Sequence, residues 1–284
     1  MPITSYSPPV NQLLTYGECD NISPRDWPNY LKLGISAAQI PELIRMATDE
    51  ELYQVNPNSS EFWAPIHAWR TLGQLQAQKA IEPLIGLFAK RDGEDDTWEE
   101  WIGEELPTVL SLIGPSAIPA LASHLATTSQ GFFSRLTAIN SLEKIGSQHP
   151  DSRMDSVTVL TQQLESFREN GLELNGFIIA ALLDLKAVES ASVIEQAFGA
   201  DCVDNRVAGD WDDVQVELGL KSWTDVPQMS SRFERNRELV SYFPEFSSSA
   251  PEGFARVDPK AQAKSQVKRK MQKQARKKNR KKKK

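Results

Sequence analysis

The sequence predicts an all-α chain: a right-handed superhelical α-solenoid of helical hairpins with an irregular N-terminal arm and a disordered basic C-terminal tail. Three observations carry that prediction. Apolar residues recur at steps of three and four over long stretches, as one buried helix face requires. Glycines and prolines punctuate those stretches at intervals of about 30–40 residues. Finally, the β-branched alternation of a strand is nearly absent.

Taken in order, residues 1–35 read as an irregular arm, because Pro8-Pro9, Pro24 and Pro28 block regular structure. Residues 36–220 hold successive helical patterns. Phe132, Leu136, Ile139, Leu142 and Ile145 form one stripe, with Gly146 expected to end that helix. Val157, Leu160, Leu164 and Phe167 form the next, stopped by Asn170-Gly171. The run from Phe177 to Leu185 is apolar on nearly every face, which predicts a helix covered on both sides. Pro65, Pro83, Pro107 and Pro119 are expected near helix starts, where the first amides lack intrahelical acceptors. Residues 221–259 read as an extended, aromatic-containing linker, and 260–284 as a Lys/Arg-rich tail.

Internal similarity is visible. Leu72-Gly73 precedes Ala80-Ile-Glu-Pro-Leu-Ile85, and Leu112-Ile-Gly-Pro115 precedes Ala117-Ile-Pro-Ala-Leu121. The two Ala-Ile starts are 37 residues apart, and Gly73, Gly114 and Gly146 are separated by 41 and 32. Such periods indicate stacked helical hairpins, none of which buries its apolar face alone. These motifs resemble bacterial HEAT repeats of the phycobilisome-lyase type. The wider stretch from Trp63-Ala-Pro-Ile-His-Ala-Trp69 to Gly209-Asp-Trp211 is similar to an uncharacterised bacterial HEAT-domain family. Some members of that family end in a cysteine-rich zinc motif, where this chain has its Lys/Arg tail. The resemblance implies architecture. It also implies one enzymatic alternative, a bilin lyase attaching or handling a tetrapyrrole on a phycobiliprotein, although no catalytic residue can be placed by matching.

Charge divides the chain. The net charge of −6 conceals 14 Lys and Arg and no acidic residue in 260–284, which leaves 18 basic and 38 acidic side chains, a charge of −20, in 1–259. Lys268, Arg269, Lys270, Lys273, Arg276, Lys277, Lys278, Arg280, Lys281, Lys282, Lys283 and Lys284 form a candidate polyanion-binding segment. Neutralising phosphates of RNA or a ribosome would release counterions; the acidic body of the chain itself is the other polyanion at hand. A membrane surface is disfavoured, because no amphipathic face or lipidation site accompanies the charge.

A second candidate surface lies within 92–105, which holds eight carboxylates and two tryptophans. Asp95, Asp96, Trp98, Glu99, Glu100, Trp101, Glu104 and Glu105 would attract a basic peptide by charge and by cation–π contact. The alternative is an inter-helix loop whose tryptophans pack inward. Catalytic chemistry is not expected. The histidines His67, His124 and His149 lack metal-ligand spacing, Cys19 and Cys202 form no Cys-x-x-Cys pair, and no phosphate-cradling or nucleophile-elbow motif occurs. Neither a cofactor nor a small-molecule ligand is expected. The absence of a signal segment or an apolar span points to the cytoplasm. The expected function is therefore non-catalytic: a protein-binding scaffold or adaptor, with a chaperone for basic proteins as a further alternative.

Overall fold

Helical periodicity carries through into an all-helical fold. The computed structural model describes residues 5–19, 23–93, 97–222 and 225, without the side chain of Glu100. The polyanion-binding segment, the linker beyond Ser222 apart from Asp225, and Asp95 and Asp96 lie outside the described residues. The chain divides into units Met1–Arg235 and Asn236–Lys284, and every described residue belongs to the first.

Among the described residues the N-terminal 35 form only short 3-10 turns, at Val10–Thr15, Pro24–Asp26 and Tyr30–Leu33. Thirteen α-helices follow. They are α1 (Ile40–Ala47), α2 (Glu50–Tyr53), α3 (Ala64–Gln74), α4 (Ile81–Gly86), α5 (Glu99–Ile113), α6 (Ile118–Ala126), α7 (Phe132–Gln148), α8 (Arg153–Glu165), α9 (Phe167–Asn170), α10 (Leu172–Asp184), α11 (Ala191–Gly199), α12 (Asn205–Ala208) and α13 (Trp211–Glu217). Helices α1, α3, α5, α7 and α10 pack side by side in chain order, and α4, α6, α8 and α11 do the same.

One local unit recurs four times. A first-layer helix ends, a three-residue 3-10 turn follows, and a second-layer helix begins. The 3-10 turns are Gln78–Ala80, Pro115–Ala117, Pro150–Ser152 and Val188–Ser190, beginning 37, 35 and 38 residues apart. Two of the units share a helix stop without glycine. Gln76 and Lys186 adopt left-handed backbone (φ 49° and 55°). In both, the left-handed residue's amide bonds three residues back and the next amide five back: Gln76 to Gly73 and Ala77 to Leu72, Lys186 to Leu183 and Ala187 to Leu182. This is the Schellman pattern, which satisfies the last carbonyls of a helix. Asp201 (φ 54°) repeats it after α11.

Two sequence expectations need correction. Gly146 does not end α7, which runs on to Gln148. A Cβ there would lie 2.8 Å from Leu185 Cδ2 and 3.1 Å from Ser156 Cβ, so this glycine permits close helix approach. Pro107 sits in the interior of α5, whereas Pro65 and Pro119 do occupy the first turns of α3 and α6.

The core also extends beyond the expected stripes. Leu136, Ile139, Leu142 and Ile145 of α7 are buried, and so are Ser134, Thr137, Ala138 and Ser141 around the helix. Small residues on that second face allow close packing, and Thr137 and Ser141 satisfy their hydroxyls on the carbonyls of Phe133 and Thr137. No single helix among the described residues is long and apolar enough to cross a membrane.

Candidate functional site

Three described residues of the acidic 92–105 stretch, Trp98, Trp101 and Glu105, turn inward. Trp98 is 3% exposed; its indole donates to the Tyr53 carbonyl at 3.2 Å and its ring meets Tyr53 edge-on at 4.7 Å. Trp101 is also buried, edge-on to Trp63 at 5.5 Å. Glu105 is buried and accepts a hydrogen bond from Arg70 Nε, and the Arg70 guanidinium lies 4.8 Å from the Trp27 ring centroid. Burial pushes the Glu105 carboxyl above its usual range, and the neighbouring Arg70 opposes that rise. Asp92 accepts from the Phe133 and Ser134 amides at 2.9 and 3.0 Å, occupying the N-terminus of α7 where the helix dipole favours an anion. Burial lowers the pKa of Arg91, while Glu99, Asp92 and Glu104 act in the opposite direction. Trp98, Trp101 and Glu105 are therefore core residues, with no open indole face or free carboxylate for a peptide. Glu99 and Glu104 are half-buried near Arg91.

A buried polar group joins the N-terminal arm to α3. The Nε2 of His67 lies 2.9 Å from the Gly17 carbonyl and its Nδ1 lies 2.7 Å from the Tyr30 hydroxyl. A carbonyl can only accept, so Nε2 carries the proton and Nδ1 accepts from Tyr30. Cys19 Sγ is 3.5 and 3.4 Å from the two ring nitrogens, nearly equidistant from both. Burial lowers the His67 pKa to about 4, and burial likewise raises that of Tyr30 above its ordinary value. An imidazole with both nitrogens engaged and a depressed pKa is a poor base toward the thiol. This constellation anchors the arm. Cys19 and His67 are 48 residues apart, and no spacing rule brings them together. His124 and His149 are similarly satisfied, by Ser134 Oγ and the Ser111 carbonyl, each at 2.8 Å.

The open site lies at the other end of the helical array. A cleft of about 560 Å³ is lined by Glu195, Phe198 and Gly199 of α11, by Asp201 and Val203 of the following turn, by Asn205 at the start of α12, and by Asp210 and Trp211 at the start of α13. Phe198 and Trp211 are half-exposed, with ring centroids 6.0 Å apart and planes tilted by 37°. Asp210 and Asp213 form a reciprocal capping box that fixes the start of α13. The three lining carboxylates and the absence of Lys or Arg from the lining give the cleft a negative field over an aromatic floor. The sequence offered one signal for it: Glu195 and Phe198, three apart, share a helix face. Chain folding supplies the rest.

Among the described residues no group of His, Cys, Asp and Glu could hold a metal ion. Comparison with protein-family models, with curated proteins and with solved structures returns no match to this chain.

Proposed function

We propose that this chain is a non-catalytic protein-binding scaffold, built as a right-handed HEAT-like α-solenoid. The observation that carries this reading is the fourfold recurrence of helix, 3-10 turn and helix, stacked in chain order in two rows. Stacks of this kind expose long surfaces whose shape follows from a small rotation per repeat, and they serve as extended binding platforms. The 14 cations of residues 260–284 support a second attachment, to RNA or the ribosome, through phosphate neutralisation.

The test is affinity capture with the full-length chain at moderate salt, with and without RNase. A specific protein partner should be retained under both conditions, and RNA should be lost steeply as salt rises. Capture that disappears completely with RNase would remove the protein-binding reading.

A further inference from the structure

We propose that the cleft between α11 and α13 docks an extended Lys/Arg-bearing segment of a partner protein, seating a cationic side chain between the Phe198–Trp211 pair and the Glu195 and Asp201 carboxylates. This rests on the protein-binding reading above and assigns it a place and a partner chemistry.

The first argument is the charge of the lining. Nearby carboxylates have cationic neighbours: Glu189 pairs with Arg153 at 2.8 Å, Asp204 with Arg206 at 2.6 Å, and Asp212 with Lys221 at 2.7 Å. Glu195 and Asp201, which face the cleft, have no ion pair among the described residues. Two carboxylates with no ion pair thus flank one opening, where a cationic side chain would meet both.

The second argument is the aromatic floor. Trp69 and Trp98 are buried in the core, whereas Phe198 and Trp211 remain half-open at the cleft. An indole face supplies the strongest cation–π contact of any side chain, and a planar guanidinium both stacks on it and forks onto a carboxylate. Lysine fulfils the charge requirement without the stacking, so arginine should bind more tightly. An anionic ligand is disfavoured by sign, and about 560 Å³ falls in the range of clefts that enclose a few side chains. The floor is held in place: the Schellman turn at Asp201 and the Asp210–Asp213 capping box fix both rims.

The experiment titrates the full-length chain with a fluorescein-labelled peptide of alternating Arg and Gly, read by anisotropy at low salt. Peptides with Lys or Glu in place of Arg serve as comparators. Binding to the cleft should follow the order Arg, then Lys, while the Glu peptide, which the 14 cations of 260–284 attract, should bind equally well to the chain with and without the cleft changes. The double change Glu195→Gln with Asp201→Asn should weaken the Arg peptide by up to about tenfold, in line with two partly exposed ion pairs. Trp211→Leu, which keeps an apolar residue, should remove the preference for Arg over Lys; unchanged helical circular dichroism verifies folding of each variant. Unaltered affinity for the Arg peptide in both variants overturns the proposal, as does an equal loss of Glu-peptide binding in the double variant. Binding that appears only after the cations of 268–284 are changed to Gln would reveal an occupant from the same chain and overturn the assignment to a partner. If captured protein is retained while the Arg peptide fails to bind, the cleft assignment falls and the scaffold reading stands; loss of protein capture with the peptide still bound is the reverse.

Discussion

Protonating His67 removes the lone pair that accepts the Tyr30 hydroxyl, and it places a charge where the ring is 2% exposed. Its folded pKa of about 4 lies below the ordinary 6.5. The neutral form is therefore favoured by folding: the stabilisation is fully present above pH 6.5 and is lost as pH falls toward 4. Linkage puts the loss at up to about 3 kcal/mol. Thermal unfolding of the full chain across that window should show the decline, and His67→Gln should flatten it. Arg70 and Glu105 make a second prediction at this scale. Glu105→Gln keeps the shape but leaves a buried guanidinium without its carboxylate, which should cost about 3–5 kcal/mol in urea unfolding. A loss below 1 kcal/mol would mean that the other partners of Arg70, Trp27 and Tyr30 among them, compensate it.

Helices pack here through small residues as much as through apolar stripes. Gly176 of α10 faces α12 so closely that a Cβ would lie 2.9 Å from Val207 Cβ and 3.1 Å from the Asp204 carbonyl. Gly176→Ala should therefore destabilise by about 1–3 kcal/mol through overpacking, although alanine is the better helix former by about 1 kcal/mol. Gly86, which closes α4, is the control: nothing lies within 4 Å of its Cβ position, so Gly86→Ala should be neutral or mildly stabilising. Asp92→Ala should cost about 0.5–2 kcal/mol by uncapping α7, measurable in the same denaturation series. The recurrent helix stops were legible only in part. Gly114 (φ 100°) acts as the sequence rule expects, but Gln76 and Lys186 reach left-handed backbone without being glycine. Their geometry is imposed by the two hydrogen bonds that close each turn, which residue preference alone does not reveal.

At the scale of the whole molecule, the proposed solenoid has each hairpin draw its stability from its neighbours in the row. A lesion at one end should then loosen that end first. With Gly176→Ala, amide exchange should accelerate across α10 to α13 while α3 and α5, around the buried Trp69, keep their protection. Uniform acceleration across all helices would indicate one cooperative unit and count against the nearest-neighbour stack.

The all-helical class was legible in the sequence alone, because it follows from local chemistry: a 3.6-residue period, and proline and glycine where the backbone must turn. The 37-residue spacing of the Ala-Ile starts marks the same interval that separates the first two 3-10 turns. What tertiary structure decided was the fate of residues whose local signals are ambiguous. Trp98 and Trp101 read as either a surface or a core and Glu105 as a surface, and packing against Tyr53, Trp63 and Arg70 took all three inside. Cys19 and His67 met through the path of an irregular arm, and the cleft arose where α11 and α13 converge. Burial and proximity are properties of pairs distant in sequence, so no local pattern could have assigned them.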